Sequence, residues 1–175
     1  GLGTQVIGSI GRPASYCGCV GYKPTVGAIN RGGSRDYLSQ SCTGVLAATV
    51  QDAGQVANEI AARVGGDPGL PGLAGPMRPP APVKPRTLAL LETAGWRVAS
   101  TEAKAALEEA VERLKAAGVK VISRSSHPDV AAVEEAITES IPVSTRINDW
   151  EWRWPLNSFH ERNASILSRV MLDRM

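Results

Sequence analysis

A stretch rich in glycine and proline limits where this chain can form regular structure. Residues 65–85 begin Gly-Gly-Asp-Pro-Gly-Leu-Pro-Gly and end Pro-Pro-Ala-Pro-Val-Lys-Pro. Proline removes backbone N–H donors and glycine raises the entropic cost of ordering, so helices and strands are disfavoured here. Glycine does not recur at every third position, which excludes a collagen helix. We predict a connecting loop over residues 65–85, inside a single domain of which residues 1–175 are a part.

An amphipathic helix is predicted on the amino-terminal side of this loop. Thr49 is a typical N-cap residue, and Asp52 follows three residues later, as in a capping box. Gly65 and Gly66 supply the stop. The apolar positions recur at helical spacing: they are Val50, Ala53, Val56, Ala57, Ile60, Ala61 and Val64.

A second helix with the same signals is predicted on the carboxyl-terminal side. Ser100 or Thr101 caps it and Gly118 ends it. Its apolar face consists of Ala103, Ala106, Leu107, Ala110, Val111, Leu114 and Ala117. Residues 87–91 read as a buried strand before this helix, and residues 119–123 as a strand after it. If the two strands are parallel neighbours, the connection is a right-handed crossover.

Two further helices complete the predicted elements. Pro128 is well placed at the first turn of a helix whose apolar residues are Val130, Val133, Ile137 and Ile141. Residues 158–172 form the last helix. The order of elements indicates an α/β fold, with a mixed β-sheet core flanked by α-helices.

Three tryptophans alternate with charged residues at positions 150, 152 and 154. In an extended segment this spacing directs all three rings to one side. Such a row could form the wall of a substrate channel or an interface in a homo-oligomer. Ordinary packing inside the domain is the alternative, and the sequence leaves all three open.

The first 45 residues are rich in glycine, serine and threonine, and we predict turns and short strands there, with β-prone pieces at 19–22 and 26–29. Ser9 follows the turn Val6-Ile7-Gly8. Glycine lets a backbone turn sharply, and consecutive N–H groups in a turn can point at one oxyanion. A serine at the end of such a turn is placed where a nucleophile is needed.

The sequence gives little support for a phosphate-binding loop, a Ser–His–Asp triad or a metal site. A phosphate-binding loop needs lysine where Ser9 stands. A Ser–His–Asp triad needs a histidine, but His127 precedes a helix and His160 lies on one, so each suits a capping or surface role. The residues Cys17, Cys19 and Cys42 have no metal-ligand spacing, and we interpret them as small buried thiols.

Composition and charge indicate the compartment of the protein and the classes of partner to expect. Reduced thiols indicate the cytoplasm. No signal peptide or membrane span is visible, and a net charge of +2 gives no case for nucleic acid. The chain begins at Gly1 rather than Met, which a cleavage or an excerpt of a longer protein would explain.

The run from Gly3 to Gly18 resembles the signature of the amidase signature family. The family pattern Gly-(Ser/Thr)-(Asp/Gln)-x-Gly-Gly-Ser-x-x-x-Pro-(Ala/Ser)-x-(Phe/Tyr)-Cys-Gly is matched at ten positions: Gly3, Thr4, Gln5, Gly8, Ser9, Pro13, Ala14, Tyr16, Cys17 and Gly18. The likeness continues through Gly21–Thr25, Asn30–Gly32 and Gly44–Ala53. Ile7 departs from the pattern, because the family places a small residue there.

The resemblance implies a hydrolase of carbon–nitrogen bonds in small amides, without cofactor or metal. Ser9 is then the nucleophile, and the N–H groups of Val6, Ile7, Gly8 and Ser9 form the oxyanion hole. A lysine and a bridging serine in a cis peptide complete the family's machinery, and both lie upstream of this motif, outside the chain. Arg12 is then a substrate-binding residue for an acidic group, or alternatively secures the loop through a salt bridge.

The resemblance also implies that residues 1–175 are the central, incomplete portion of a single amidase-like domain, and that this portion has partners. The chain would act together with upstream and downstream amidase segments or with a partner chain, and neither nucleic acid nor a membrane is expected. The alternative is a non-catalytic interaction module or subunit that keeps the amidase scaffold without the base.

Overall fold

The computed structural model describes residues 1–32, 38–173 and 175. The strands are β1 (Leu2–Gln5), β2 (Val20–Tyr22), β3 (Cys42–Ala47), β4 (Thr87–Ala89) and β5 (Lys120–Ile122). The helices are α1 (Gly11–Cys17), α2 (Val50–Val64), α3 (Ala94–Val98), α4 (Thr101–Ala116), α5 (Pro128–Ala136), α6 (Ser140–Asn163) and α7 (Arg169–Leu172), with a 3₁₀ turn at Ala164–Ile166. Helices combined with parallel and antiparallel strands confirm the predicted α/β class.

The chain divides into two compact units. The first contains Gly1–Ala81 and Ser144–Met175, and the second contains Pro82–Val143. That all of these residues belong to one amidase-like domain stays a prediction. None of the described helices is long and apolar enough to cross a membrane.

The first unit is built on a three-stranded antiparallel sheet. Strand β3 lies in the middle, between β1 and β2. Gly3 of β1 is paired with Gly44 of β3, and Gly21 of β2 is paired with Leu46. Glycines on all three strands leave one part of the sheet without side chains.

Ile10 fills the space above these glycines. Its side chain is fully buried. A Cβ added to Gly3 would lie 3.9 Å from Ile10 Cγ1, one added to Gly21 would lie 3.4 Å from Ile10 Cγ2, and one added to Gly44 would overlap Ile10 Cδ1. The sheet is therefore shaped to receive the residue that directly follows Ser9.

Helix α2 packs on this sheet and confirms its prediction closely. Thr49 Oγ1 accepts a hydrogen bond from the N–H of Asp52 at 3.0 Å, and Gly65 ends the helix with a φ of 67°. The buried residues of α2 are its alanines, namely Ala53, Ala57 and Ala61. The larger apolar residues flank this stripe, and Val50, Val56 and Val64 are exposed.

Residues 65–85 contain neither helix nor strand. Asp67 in this loop binds Arg31 twice: the Arg31 N–H and Nε each donate to the carboxylate at 2.8 Å. Burial acts to raise the pKa of Asp67, but these hydrogen bonds and the guanidinium charge outweigh it and hold the pKa below its ordinary value of 3.8. Arg31 Nη1 also donates to the carbonyl of Leu38 at 2.7 Å, so one side chain joins the loop to Leu38.

The second unit contains a parallel pair of strands, β4 and β5. The two strands predicted on either side of α4 are present and are parallel neighbours, which is the condition set for a crossover connection. The Ser100 cap is confirmed, because its Oγ accepts a hydrogen bond from the N–H of Ala103 at 3.2 Å. The prediction that residues 87–91 are buried is wrong, because all three residues of β4 are exposed. No residue of α4 is buried either, although its apolar stripe is regular.

Three boundaries differ from those predicted. The helix that begins at Pro128 ends at Ala136 instead of reaching Ile141, and α6 begins at Ser140. Helix α6 then runs to Asn163 through Pro155, so the predicted last helix at 158–172 is divided among α6, the 3₁₀ turn and α7.

Two local predictions in the first unit also need correction. Residues 11–17 form the short helix α1 where only turns and strands were expected, and residues 26–29 form a turn instead of a strand. Pro13 is tolerated in α1 because the first-turn N–H groups have no partner within a helix. Of the three cysteines interpreted as buried, Cys42 is buried, Cys19 is partly buried and Cys17 is exposed, so the interpretation is wrong for Cys17.

Candidate active site

The side chain of Gln5 stabilises the turn that carries Ser9. Strand β1 ends at Gln5, whose side-chain Oε1 accepts hydrogen bonds from the N–H of Ile10 at 2.7 Å and of Gly11 at 2.9 Å. Gly8 has a φ of 84°, a conformation that favours glycine. The signature places Gln5 and Gly8 at these positions, but the sequence did not reveal that the Gln5 side chain caps the turn.

Ser9 lies at the exposed end of this turn. Its side chain is accessible, in contrast to the fully buried Ile10 beside it. No described residue accepts a hydrogen bond from the N–H groups of Val6, Ile7, Gly8 or Ser9. The turn therefore keeps donors that a bound oxyanion could use. Ile7, which stands where the amidase signature has a small residue, is 43% exposed.

Ser9 borders a cleft of about 370 Å³. Residues from two distant parts of the sequence line it: Val6, Ile7, Ser9 and Leu38 on one side, and Thr145, Asn148, Asp149 and Trp152 of α6 on the other. All of them belong to the first unit. Two other clefts, of about 400 and 460 Å³, contain none of the predicted site residues.

Helix α6 is fastened at two points near this cleft. The carboxylate of Glu151 accepts a hydrogen bond from the N–H of Ser39 at 2.9 Å. The side-chain oxygens of Ser144 and Gln40 lie 2.5 Å apart, with the Ser144 hydroxyl donating. Ser144, Asn148 and Glu151 follow one another at spacings of four and three, so they lie on one face of the helix. Sequence reasoning missed this contribution because nothing local connects residue 9 with residue 148.

The tryptophan row is helical rather than extended. Trp152 lines the cleft, whereas Trp150 and Trp154 are 70% and 72% exposed. Successive alternate residues of a helix lie about 200° apart, so the three rings cannot face one way. The prediction of an aromatic wall therefore applies to Trp152 alone. Trp150 instead stacks with the guanidinium of Arg153, 4.9 Å from the ring centre.

Arg12 lies beside the turn and outside the residues that line the cleft. Its Nη2 donates to the carbonyl of Ile7 at 3.5 Å, a long hydrogen bond. Its guanidinium forms no ion pair with any described residue. This position suits an arginine that supports the turn, and its predicted contact with an acidic substrate group stays a prediction.

The other titratable candidates are absent from the residues that line the cleft of Ser9. His127 precedes α5 in the second unit, and His160 is exposed on α6. Lys23 donates to the carbonyl of Pro24 at 3.3 Å and does not line the cleft. Within the described residues, no group of three or more His, Cys, Asp or Glu side chains is arranged to hold a metal ion.

Comparison with known proteins gives the family. The family model described as "Amidase" matches residues 1–173. The chain belongs to the amidase family, as the signature predicted. No solved structure matches it significantly.

Among curated proteins, the chain is similar to several that are described as subunits of glutamyl-tRNA(Gln) amidotransferase. The protein from Maridesulfovibrio salexigens is 50% identical over 60 residues, covering 34% of this chain and 12% of the relative. The protein from Thermosynechococcus vestitus is 38% identical over 135 residues, covering 71% and 27%. The mitochondrial protein from Drosophila pseudoobscura pseudoobscura is 43% identical over 68 residues, covering 38% and 13%. The chain therefore spans only a small part of these relatives' length.

Proposed function

We propose that Ser9 is the nucleophile of an amidohydrolase acting on small amides. The observation that carries the proposal is the turn itself: an accessible hydroxyl on the border of a cleft, beside four N–H groups that no described residue uses. Membership of the amidase family supports the same chemistry.

The reaction follows from the demands of amide hydrolysis. Ser9 Oγ attacks the amide carbonyl carbon, and its proton passes through the bridging serine to the lysine, which the family supplies from upstream segments. The N–H groups of Val6, Ile7, Gly8 and Ser9 stabilise the oxyanion that forms. The amine leaves with a proton, and water then attacks the acyl–Ser9 ester, releasing the acid and restoring the hydroxyl.

Partner segments belong to the proposal. The cleft is bordered by Ser9, and its lining as described includes no lysine. As the family resemblance implies, the proposal takes the base from upstream amidase segments or from a partner chain. The relatives' printed description, which makes each of them one subunit of an amidotransferase, favours assembly with other chains. We keep the cytoplasm as the proposed compartment and a small amide as the substrate, and we propose no role for nucleic acid, membrane or cofactor.

A serine-directed fluorophosphonate probe tests the proposal in the complete polypeptide. We expect labelling of the wild-type protein, none in Ser9→Ala, and normal labelling in Ser15→Ala, the matched control at an exposed serine of α1. Because Ser9 forms the acyl bond, Ser9→Ala should also lower amide turnover by roughly 10³-fold or more without changing the thermal unfolding midpoint.

Two results would contradict the assignment. Labelling or near-normal turnover that persists in Ser9→Ala would remove Ser9 from its role. An unlabelled wild-type protein, in a preparation shown to contain the upstream segments, would instead favour the non-catalytic interaction module.

A further inference from the structure

A buried amide on α6 borders the cleft of Ser9 and has an unsatisfied acceptor. Asn148 is 7% exposed, and its Oδ1 accepts no hydrogen bond from any described residue. Buried polar side chains in folded proteins nearly always have a partner, because an unpaired group loses its hydration without compensation. Asn148 lines the cleft, but Oδ1 itself is closed off from it in this rotamer, so a ligand there becomes its partner when the side-chain amide turns about χ2.

The backbone around Asn148 is well fixed. Its helix is fastened four residues earlier by Ser144 and three residues later by Glu151. A side chain between two such attachments loses little further freedom on binding, which favours specific recognition. Trp152 and Leu38 add apolar side chains to the lining of the same cleft.

The chemistry of the cleft decides which substrate group Asn148 would meet. The backbone N–H groups near Ser9 are donors and suit the substrate carbonyl oxygen. An amide substrate also carries N–H donors, which need an acceptor. Asn148 Oδ1 is an unpartnered acceptor, and rotation about χ2 exchanges it with Nδ2 in nearly the same volume, so it can turn toward the cleft.

We infer that Asn148 is a specificity-determining residue of this site, whose side-chain oxygen accepts a hydrogen bond from the N–H of the scissile amide. The inference rests on the proposed function, because it requires an amide bound at Ser9. A site built to bond an N–H group rejects an analogue that lacks it, so Asn148 selects amides over esters of the same acid.

Protection of Ser9 from the fluorophosphonate probe tests this selection in the complete polypeptide. The two protecting compounds are benzamide and methyl benzoate, which share the acyl group but differ in the N–H. In the wild-type protein, benzamide should give half-protection at a lower concentration than methyl benzoate. In Asn148→Leu, we expect the benzamide concentration to rise about tenfold, and that of methyl benzoate to change less than twofold.

Two controls separate recognition from a structural role. Asn157→Leu changes the same residue type at an exposed position of α6 and should leave both concentrations unchanged. Asn148→Leu should keep or raise the thermal unfolding midpoint, because it removes a buried group that has no partner. If Asn148→Leu does not fold, Asn148→Ala takes its place in the protection experiment.

The outcomes distinguish the inference from the proposed function. Absence of Ser9 labelling in the wild-type protein would refute the proposed function. Labelling of Ser9 with the same ratio of the two protecting concentrations in wild type and folded variant would refute the role of Asn148 alone. So would a wild-type protein that benzamide protects no better than methyl benzoate, which is the result expected if an ordered water satisfies Oδ1.

Discussion

Helices α2 and α4 carry the same sequence signals but differ in what they bury. Each begins at a hydroxyl cap and has a regular apolar stripe. Helix α2 lies against the three-stranded sheet and buries three alanines, whereas α4 buries no residue. The comparison shows that the same capping and periodicity accompany both a buried and an exposed helix, because burial depends on a packing partner elsewhere in the fold.

The strands repeat this contrast. Strand β3 in the first unit contains the fully buried Cys42 and Val45, whereas every residue of β4 in the second unit is exposed. Val98 and Leu107 of the second unit are 86% and 39% exposed. The first unit thus has a core of its own, and substitutions should affect the two units very differently.

The largest effect is expected at Ile10. Ile10→Ala would leave a cavity above Gly3, Gly21 and Gly44, and we expect it to lower the free energy of unfolding by about 3 kcal/mol. Native-state hydrogen exchange of the α2 amides would measure the loss within the first unit. A loss below about 1 kcal/mol would show that the sheet collapses around the smaller side chain, and the proposed difference between the units would weaken.

A smaller effect is expected at the Arg31–Asp67 pair. Asp67→Asn removes a charge that accepts two hydrogen bonds, and we expect the first unit to lose about 2 kcal/mol at pH 7. The pKa of Asp67 is lowered in the folded protein, so its contribution is present above the ordinary pKa and disappears as pH falls through the folded value.

Urea denaturation at several pH values would measure this dependence. The difference between wild type and Asp67→Asn should shrink below about pH 4. A difference that stays constant from pH 7 to pH 3 would contradict the assignment of the stabilisation to the ionised carboxylate.

The smallest effect is expected in the second unit. Leu107→Ala removes a half-exposed side chain from a helix that buries none of its residues, so the free energy of unfolding should fall by less than about 1 kcal/mol. Hydrogen exchange of the α4 amides in the complete polypeptide is the measurement. A loss comparable to that of Ile10→Ala would show that another segment covers α4 there.

Local signals in the sequence predicted local structure well. The Thr49 and Ser100 caps form as expected, because each depends on residues three positions apart. The burial of β4 was predicted wrongly from its apolar residues, since burial depends on distant partners. Helix α1 was missed because glycine and proline reduce helix propensity without preventing a helix fastened at its start by Gln5.

Only one wall of the candidate site, the turn that carries Ser9, could be predicted from the sequence. The signature indicated Ser9 and its turn, because those residues are contiguous. The opposite wall, with Asn148 and Trp152, belongs to α6, more than a hundred residues later in the sequence. The alternating tryptophans were interpreted as part of an extended segment, although they lie on this helix. No pattern within either stretch predicts that they face each other.

Ser9 and Ile10 are neighbours in sequence but lie in opposite environments, because Ser9 is exposed and Ile10 is fully buried. The hydroxyl of Ser9 contributes nothing to the interior, while its immediate neighbour occupies a recess that the sheet keeps free of side chains. In the proposed function, reactivity and anchoring therefore fall on adjacent residues. A substitution at Ser9, or in the cleft wall across from it, would leave untouched the recess in the sheet that holds Ile10.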